Sequence, residues 1–176
     1  MKSKEEIDKL VDDINEEELE EYYEKGSKEA EDLLKDEQKM EKFLQKLEQK
    51  LKTVPVAGDA LAYVPLMISL VRAYVKKEYT EAPIASIIAI VVALIYFLSP
   101  VDIIPDAVPI AGYADDALVI SGCIALVRTD LEDYRIWRKE NGVEFDVPDY
   151  EEIAKEARHN NKFATAFFKG KNAASK

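Results

Sequence analysis

Twenty consecutive residues, Ala82 to Val101 (APIASIIAIVVALIYFLSPV), carry no charged side chain in a chain whose residues are 34% charged. As an α-helix this run would reach about 30 Å, the thickness of a bilayer's hydrocarbon core. Two environments accept a helix that is apolar on every side: lipid, or a position enclosed by other helices. Pro83 is compatible with either, because the first helical turn has no use for its missing N–H. Ala85, Ala89 and Ala93 recur every four residues and form a stripe of small side chains that another helix can approach closely. A second apolar run, Ala117 to Val127, has its own stripe in Ala117, Ser121 and Ala125. The two stripes are expected to meet in a helical hairpin.

The second run is too short to span a bilayer alone, and extending it backward brings in Asp106, Asp115 and Asp116, which are costly at mid-membrane. The flanking charges are asymmetric. Arg72, Lys76 and Lys77 precede the first run, Arg128, Arg135, Arg138 and Lys139 follow the second, and the connection holds acids without a base. By the positive-inside rule this predicts a membrane hairpin with both termini cytoplasmic. The competing expectation is a soluble cytoplasmic bundle with a buried central helix, consistent with a mean hydropathy of -0.23. The membrane reading is narrowly the leading one.

Composition narrows the chemistry. At 176 residues the chain fits one domain, and its net charge of -11 argues against nucleic acid as a partner. One Cys and one His leave no intramolecular disulfide, CxxC redox pair or multi-Cys/His zinc site. The opening MKSKEEIDKL is too charged for a cleavable secretory signal. The charge divides the chain into three regions. Residues 1–53 hold 18 acids and 11 bases and read as a helical arm. Residues 54–139 form the apolar domain, and residues 140–176 a mixed-charge C-terminal helix and tail. No segment reads as a strand, so the fold expected is an all-α bundle of five or six helices.

Within the arm, Leu33, Met40, Leu44, Leu47, Leu51 and Val54 follow alternating steps of four and three, with Glu37 in the one polar slot. The stripe serves either as a coiled-coil seam for a protein partner or self-association, or as the inner face of a helix packed on its own domain. Gly26-Ser27 is expected to separate this helix from an earlier one. Ile7, Leu10, Val11 and Ile14 make a short stripe before it.

Between the apolar runs lies SPVDIIPDAVPIAGYADD, residues 99–116. Three prolines and a glycine forbid a continuous helix. Ser99-Pro100 has the grammar of a helix start, Gly112 suits a tight turn, and Asp115 or Asp116 can cap the following helix. Asp102, Asp106, Asp115 and Asp116 would converge if the loop folds back. An oxygen-rich set of this kind suits Mg²⁺ or Ca²⁺, or a shared proton, while the plainer reading is that each carboxylate caps a turn or a helix.

Tyr96, Ser99, Pro100, Asp102, Ile104, Pro105, Asp106, Pro109, Gly112 and Asp115-Asp116 resemble the signature of the YkvA-like family, a bacterial domain of unknown function. The pattern is also similar to the membrane-hairpin region of an endoplasmic-reticulum RING ubiquitin ligase. The resemblance implies a small, helical, membrane-associated protein and supplies no catalytic residues. No RING-type Cys/His cluster is present, so ligase activity does not carry over.

VPVAG at 54–58 echoes VPIAG at 108–112, and LVR recurs at 70–72 and 126–128, which raises a turn-plus-helix duplication. Pro65 is placed to kink the helix after the first copy. Cys123 reads as a small buried hydrophobe and His159 as a surface residue of the tail. Tyr134, Trp137 and Arg138 fit either an interfacial belt or ordinary packing. The functional expectation is a non-enzymatic, membrane-associated scaffold that docks a partner through its acidic arm. The alternatives are a divalent-metal or ion-binding, possibly hydrolytic, protein using the Asp loop, and a membrane-perturbing effector.

Overall fold

The computed structural model describes residues 16–53, 60–98, 112–145, 147 and 169. Among them are five α-helices and no strand: α1 (Glu16–Lys35), α2 (Glu37–Thr53), α3 (Val64–Val75), α4 (Ile84–Leu98) and α5 (Gly112–Glu140). The all-α expectation holds. A 3-10 turn, Ala60–Tyr63, leads into α3 and buries Ala60, Leu61 and Tyr63. Pro65 sits in the first turn of α3, where its missing N–H is harmless, so it opens that helix instead of kinking it.

Helix α4 is the axis of the fold. It touches all four other helices, and every residue from Ala85 to Phe97 is buried. This is what an all-round apolar sequence requires when protein, not lipid, supplies the neighbours. The helix has 15 residues, shorter than the run of 20 uncharged residues that contains it. Pro83 defines its start, since the Pro83 carbonyl accepts from the N–H groups of Ser86 and Ile87. At about 22 Å it falls short of a hydrocarbon core. Among the described residues no helix is long and apolar enough to cross a membrane.

The arm is two helices, but they part in a different place from the one expected. Helix α1 runs through Gly26 and Ser27 without interruption. Gly26 is there for approach: a Cβ built on it would lie 3.0 Å from Val92 Cγ1 of α4. Ser27 keeps its hydroxyl inside the helix by donating to the Tyr23 carbonyl at 2.8 Å. The break comes at Asp36, whose carboxylate accepts from the Lys39 N–H at 3.1 Å and caps α2. A stripe read as one continuous seam therefore changes helix between Leu33 and Met40.

Helices α3 and α5 end in the same closure. After α3, Lys77 N–H donates to Tyr74 O and Glu78 N–H to Ala73 O; after α5, Gly142 N–H donates to Lys139 O and Val143 N–H to Arg138 O. The motif needs a left-handed residue at its pivot. Gly142 supplies it at φ 92, whereas at the end of α3 a lysine does so at φ 62. Helix α5 is bent at Val127, which leaves helical geometry (φ -111, ψ 15), so the apolar run from Ala117 ends at the bend.

Candidate functional site

The candidate surface is built where the charged arm meets the apolar hairpin. Packing comes first. Met40, Leu44 and Leu47 of α2 are buried in the chain's own core, with Leu33 and Leu51 packed against it. The residues expected to form a seam thus face inward. On α1, Tyr23 and Ala30 are buried, and Tyr22 meets Tyr96 of α4 edge to face at 5.9 Å. Burial and the nearby Glu29 push the Tyr22 hydroxyl up to about 12.

Polar contacts then fix the register of the arm. Arg72 of α3 reaches two acids of α2, donating through Nε and Nη2 to Glu41 at 3.1 and 3.0 Å and through Nη2 to Glu48 at 2.5 Å. These hydrogen bonds raise the guanidinium's pKa and hold the Glu41 carboxyl below the usual carboxylate range. Lys50 donates to the Phe97 carbonyl at the last turn of α4 and lies 4.5 Å from the Phe97 ring centroid. A free helix C-terminal carbonyl and its dipole both favour a cation there.

The hairpin has its own polar pins. Ser86, fully buried on α4, donates to Asp130 of α5 at 2.5 Å, and the Cys123 thiol approaches the Ala89 carbonyl at 3.6 Å. Cys123 is buried, as expected. Ile120, Cys123, Ile124 and Val127 of α5 are buried. Of the small-residue stripe expected on α5, Ser121 and Ala125 are half-buried, and the side chain of Ala117 lies outside the described residues.

The aromatic pair near the end of α5 is packing. Tyr134 is fully buried, shares a 2.6 Å hydrogen bond with Ser69 and forms a compact cluster with Trp137 and Tyr79. The ring centroids are 5.0 to 5.8 Å apart, so the rings fill one another's space and leave no cage for a ligand. Burial raises the Tyr134 hydroxyl's pKa, with the Ser69 hydrogen bond opposing it.

Of the four Asp residues read as a possible metal set, Asp102 and Asp106 lie outside the described residues. Asp115 and Asp116 fall in the first turns of α5, which begins at Gly112, so neither is the residue before the helix. Among the described residues no group of three His, Cys, Asp or Glu side chains is placed to hold a metal ion. Ser99, Pro100, Ile104, Pro105 and Pro109 of the signature are likewise outside the described residues, as are the 54–58 and 108–111 segments of the duplication and His159. Tyr96 is buried on α4.

Outward, the arm separates its charge. Helix α1 carries nine acids and three bases, with six acids packed into residues 16–24. Helix α2 carries three acids and five bases, and two of the acids, Glu41 and Glu48, are drawn to Arg72. What α2 leaves exposed includes Lys39, Lys42 and Lys46, at helical spacing, with Gln38, Gln45 and Gln49 among them. A regional sum of charge over residues 1–53 hides this inversion. The signal that reveals it is the helix boundary at Asp36.

Residues 86–122 match the model of a family described as "Protein of unknown function (DUF1232)". Over 78 residues, 44% of this chain and 74% of the other, the sequence is 26% identical to the "Uncharacterized membrane protein YkvA" of Bacillus subtilis (strain 168). No solved structure matches the chain.

Proposed function

Because this chain carries a YkvA-like domain of unknown function in its central hairpin, we propose that it is a membrane-associated, non-enzymatic interaction protein that docks a partner through the acidic outward face of α1. The observation that carries this reading is the division of labour within the arm. Among the described residues, the apolar side chains of α1 and α2 lie in or against the core, and α1 presents Glu21, Glu24, Glu31 and Asp32 outside, all exposed. A partner recognised there would be basic. Membrane association is supported by the likeness to a Bacillus protein described as a membrane protein.

Deleting the whole arm would strip α4 of its cover, so removal of residues 1–53 is a poor test. The informative variant is Glu21→Gln/Glu24→Gln/Glu31→Gln, which leaves the packing untouched. Crosslinking in cells followed by capture should recover fewer partners with this variant than with the native chain at equal expression. Unchanged recovery would remove the docking role. Membrane association is checked separately by fractionation: recovery of the native protein entirely in the soluble fraction would remove that part.

A further inference from the structure

We infer that the exposed lysines of α2 and of the α3 terminus form a docking surface for anionic lipid headgroups. This rests on the membrane-association reading and specifies its chemistry. Lys39, Lys42 and Lys46 lie at steps of three and four on the exposed side of α2. None of them enters an ion pair among the described residues. The acids that would otherwise offset them, Glu41 and Glu48, are turned to Arg72 at 3.0 and 2.5 Å. Arg72 of α3 meets Glu41 of α2 at 3.0 Å, and the exposed Lys76 follows Arg72 by one helical turn, with Lys77 next in the chain. Glu37 and Glu78 are exposed acids of the same two elements.

The second observation is independent of charge. Lys77 holds the left-handed pivot of a helix closure at φ 62, where the equivalent closure after α5 uses Gly142. An L-residue with a long side chain is disfavoured there, and glycine is the cheaper choice. A lysine at a left-handed, exposed position is explained if its charge is needed at that point. Lysines near an anionic bilayer surface contribute about 1 kcal/mol each, and the attraction fades within a Debye length. The resulting contact is peripheral, sensitive to salt and indifferent to acyl chains.

The test uses the full chain with vesicles of neutral phosphatidylcholine and vesicles enriched in phosphatidylserine, read by co-sedimentation across a salt series. The native protein should bind only the anionic vesicles and dissociate as salt rises. Lys39→Gln/Lys42→Gln/Lys46→Gln should weaken binding by on the order of 100-fold, at three lysines' worth of attraction. Lys77→Gly should weaken it several-fold while raising the Tm, a combination that a purely structural lysine would not give. Binding to both vesicle types alike, or unaffected by salt or by the triple variant, overturns the headgroup proposal and leaves membrane association standing. Binding to neither overturns the proposal. Salt-sensitive self-association without vesicles, lost in the triple variant, would instead assign the lysines to the acidic α1 of a second copy and overturn the lipid reading.

Discussion

Helix α4 and the arm that covers it bury residues in opposite ways. From Ala85 to Phe97 α4 has no solvent face, whereas α1 and α2 each bury one stripe and surround it with charge. The same core receives both. From Ala85 to Phe97 the apolar run is enclosed by four helices, two of which bring amphipathic faces. The charged arm is then the water-facing coat of the apolar hairpin, joined to it by packing, by Arg72 and by Lys50.

The strongest way to break that comparison is to place charge where no face is available. Ile90→Asp would bury a carboxylate at a fully enclosed site without a partner, and its cost should exceed the stability of the fold. Circular dichroism should show loss of the cooperative thermal transition. If α4 instead lies in lipid or solvent contact on that side, the transition will persist.

A milder break asks whether the arm is appendage or core. Leu44→Ala should lower unfolding free energy by about 2–5 kcal/mol in urea melts, the usual cost of emptying a buried leucine site. A change below about 0.5 kcal/mol, typical of exposed positions, would separate the arm from the core.

The clamp between α2 and α3 gives a pH signature. Glu41's folded pKa lies below its ordinary value of 4.5, so the stabilisation from Arg72 is present above that value and is lost as pH falls through the lowered one. Arg72→Gln should therefore lower the Tm at neutral pH, and the gap from the native protein should narrow in acid. A gap that stays constant from neutral pH down through the carboxylate range would contradict the assignment.

The smallest effect sharpens the arm's fit to α4. Gly26→Ala adds a methyl 3.0 Å from Val92 Cγ1 while improving helix propensity by about 1 kcal/mol, so the single change should be close to neutral or mildly destabilising. Against a Val92→Ala background the same change should become stabilising. A double-mutant cycle with no coupling would mean that the two helices do not meet there.

Much of the fold is legible from residue pattern alone. Uncharged residues around Ile90 call for lipid or enclosing helices, Met40, Leu44 and Leu47 mark an apolar stripe, and Cys123 reads as core. The errors come from residues whose local preference has more than one outlet. Gly26 looks like a helix break until Val92 is opposite it, and Pro65 looks like a kink until the helix is seen to start beside it. Asp36 caps a helix inside what periodicity alone joins into one seam. The charge inversion between α1 and α2 disappears when net charge is summed across a boundary that only the cap reveals.

Residue pattern alone marks the chain as all-α, with a central apolar hairpin that resembles YkvA-like proteins. Those properties follow from side-chain periodicity and from the spacing of Pro, Gly and Asp, which act over a few residues. Tertiary structure decided what surrounds α4, which face of α5 it meets, where Arg72 and Lys50 fasten the arm, and which lysines remain outside. These depend on contacts between residues far apart in the chain, such as Gly26 with Val92 and Ser86 with Asp130, and no local pattern encodes the partner.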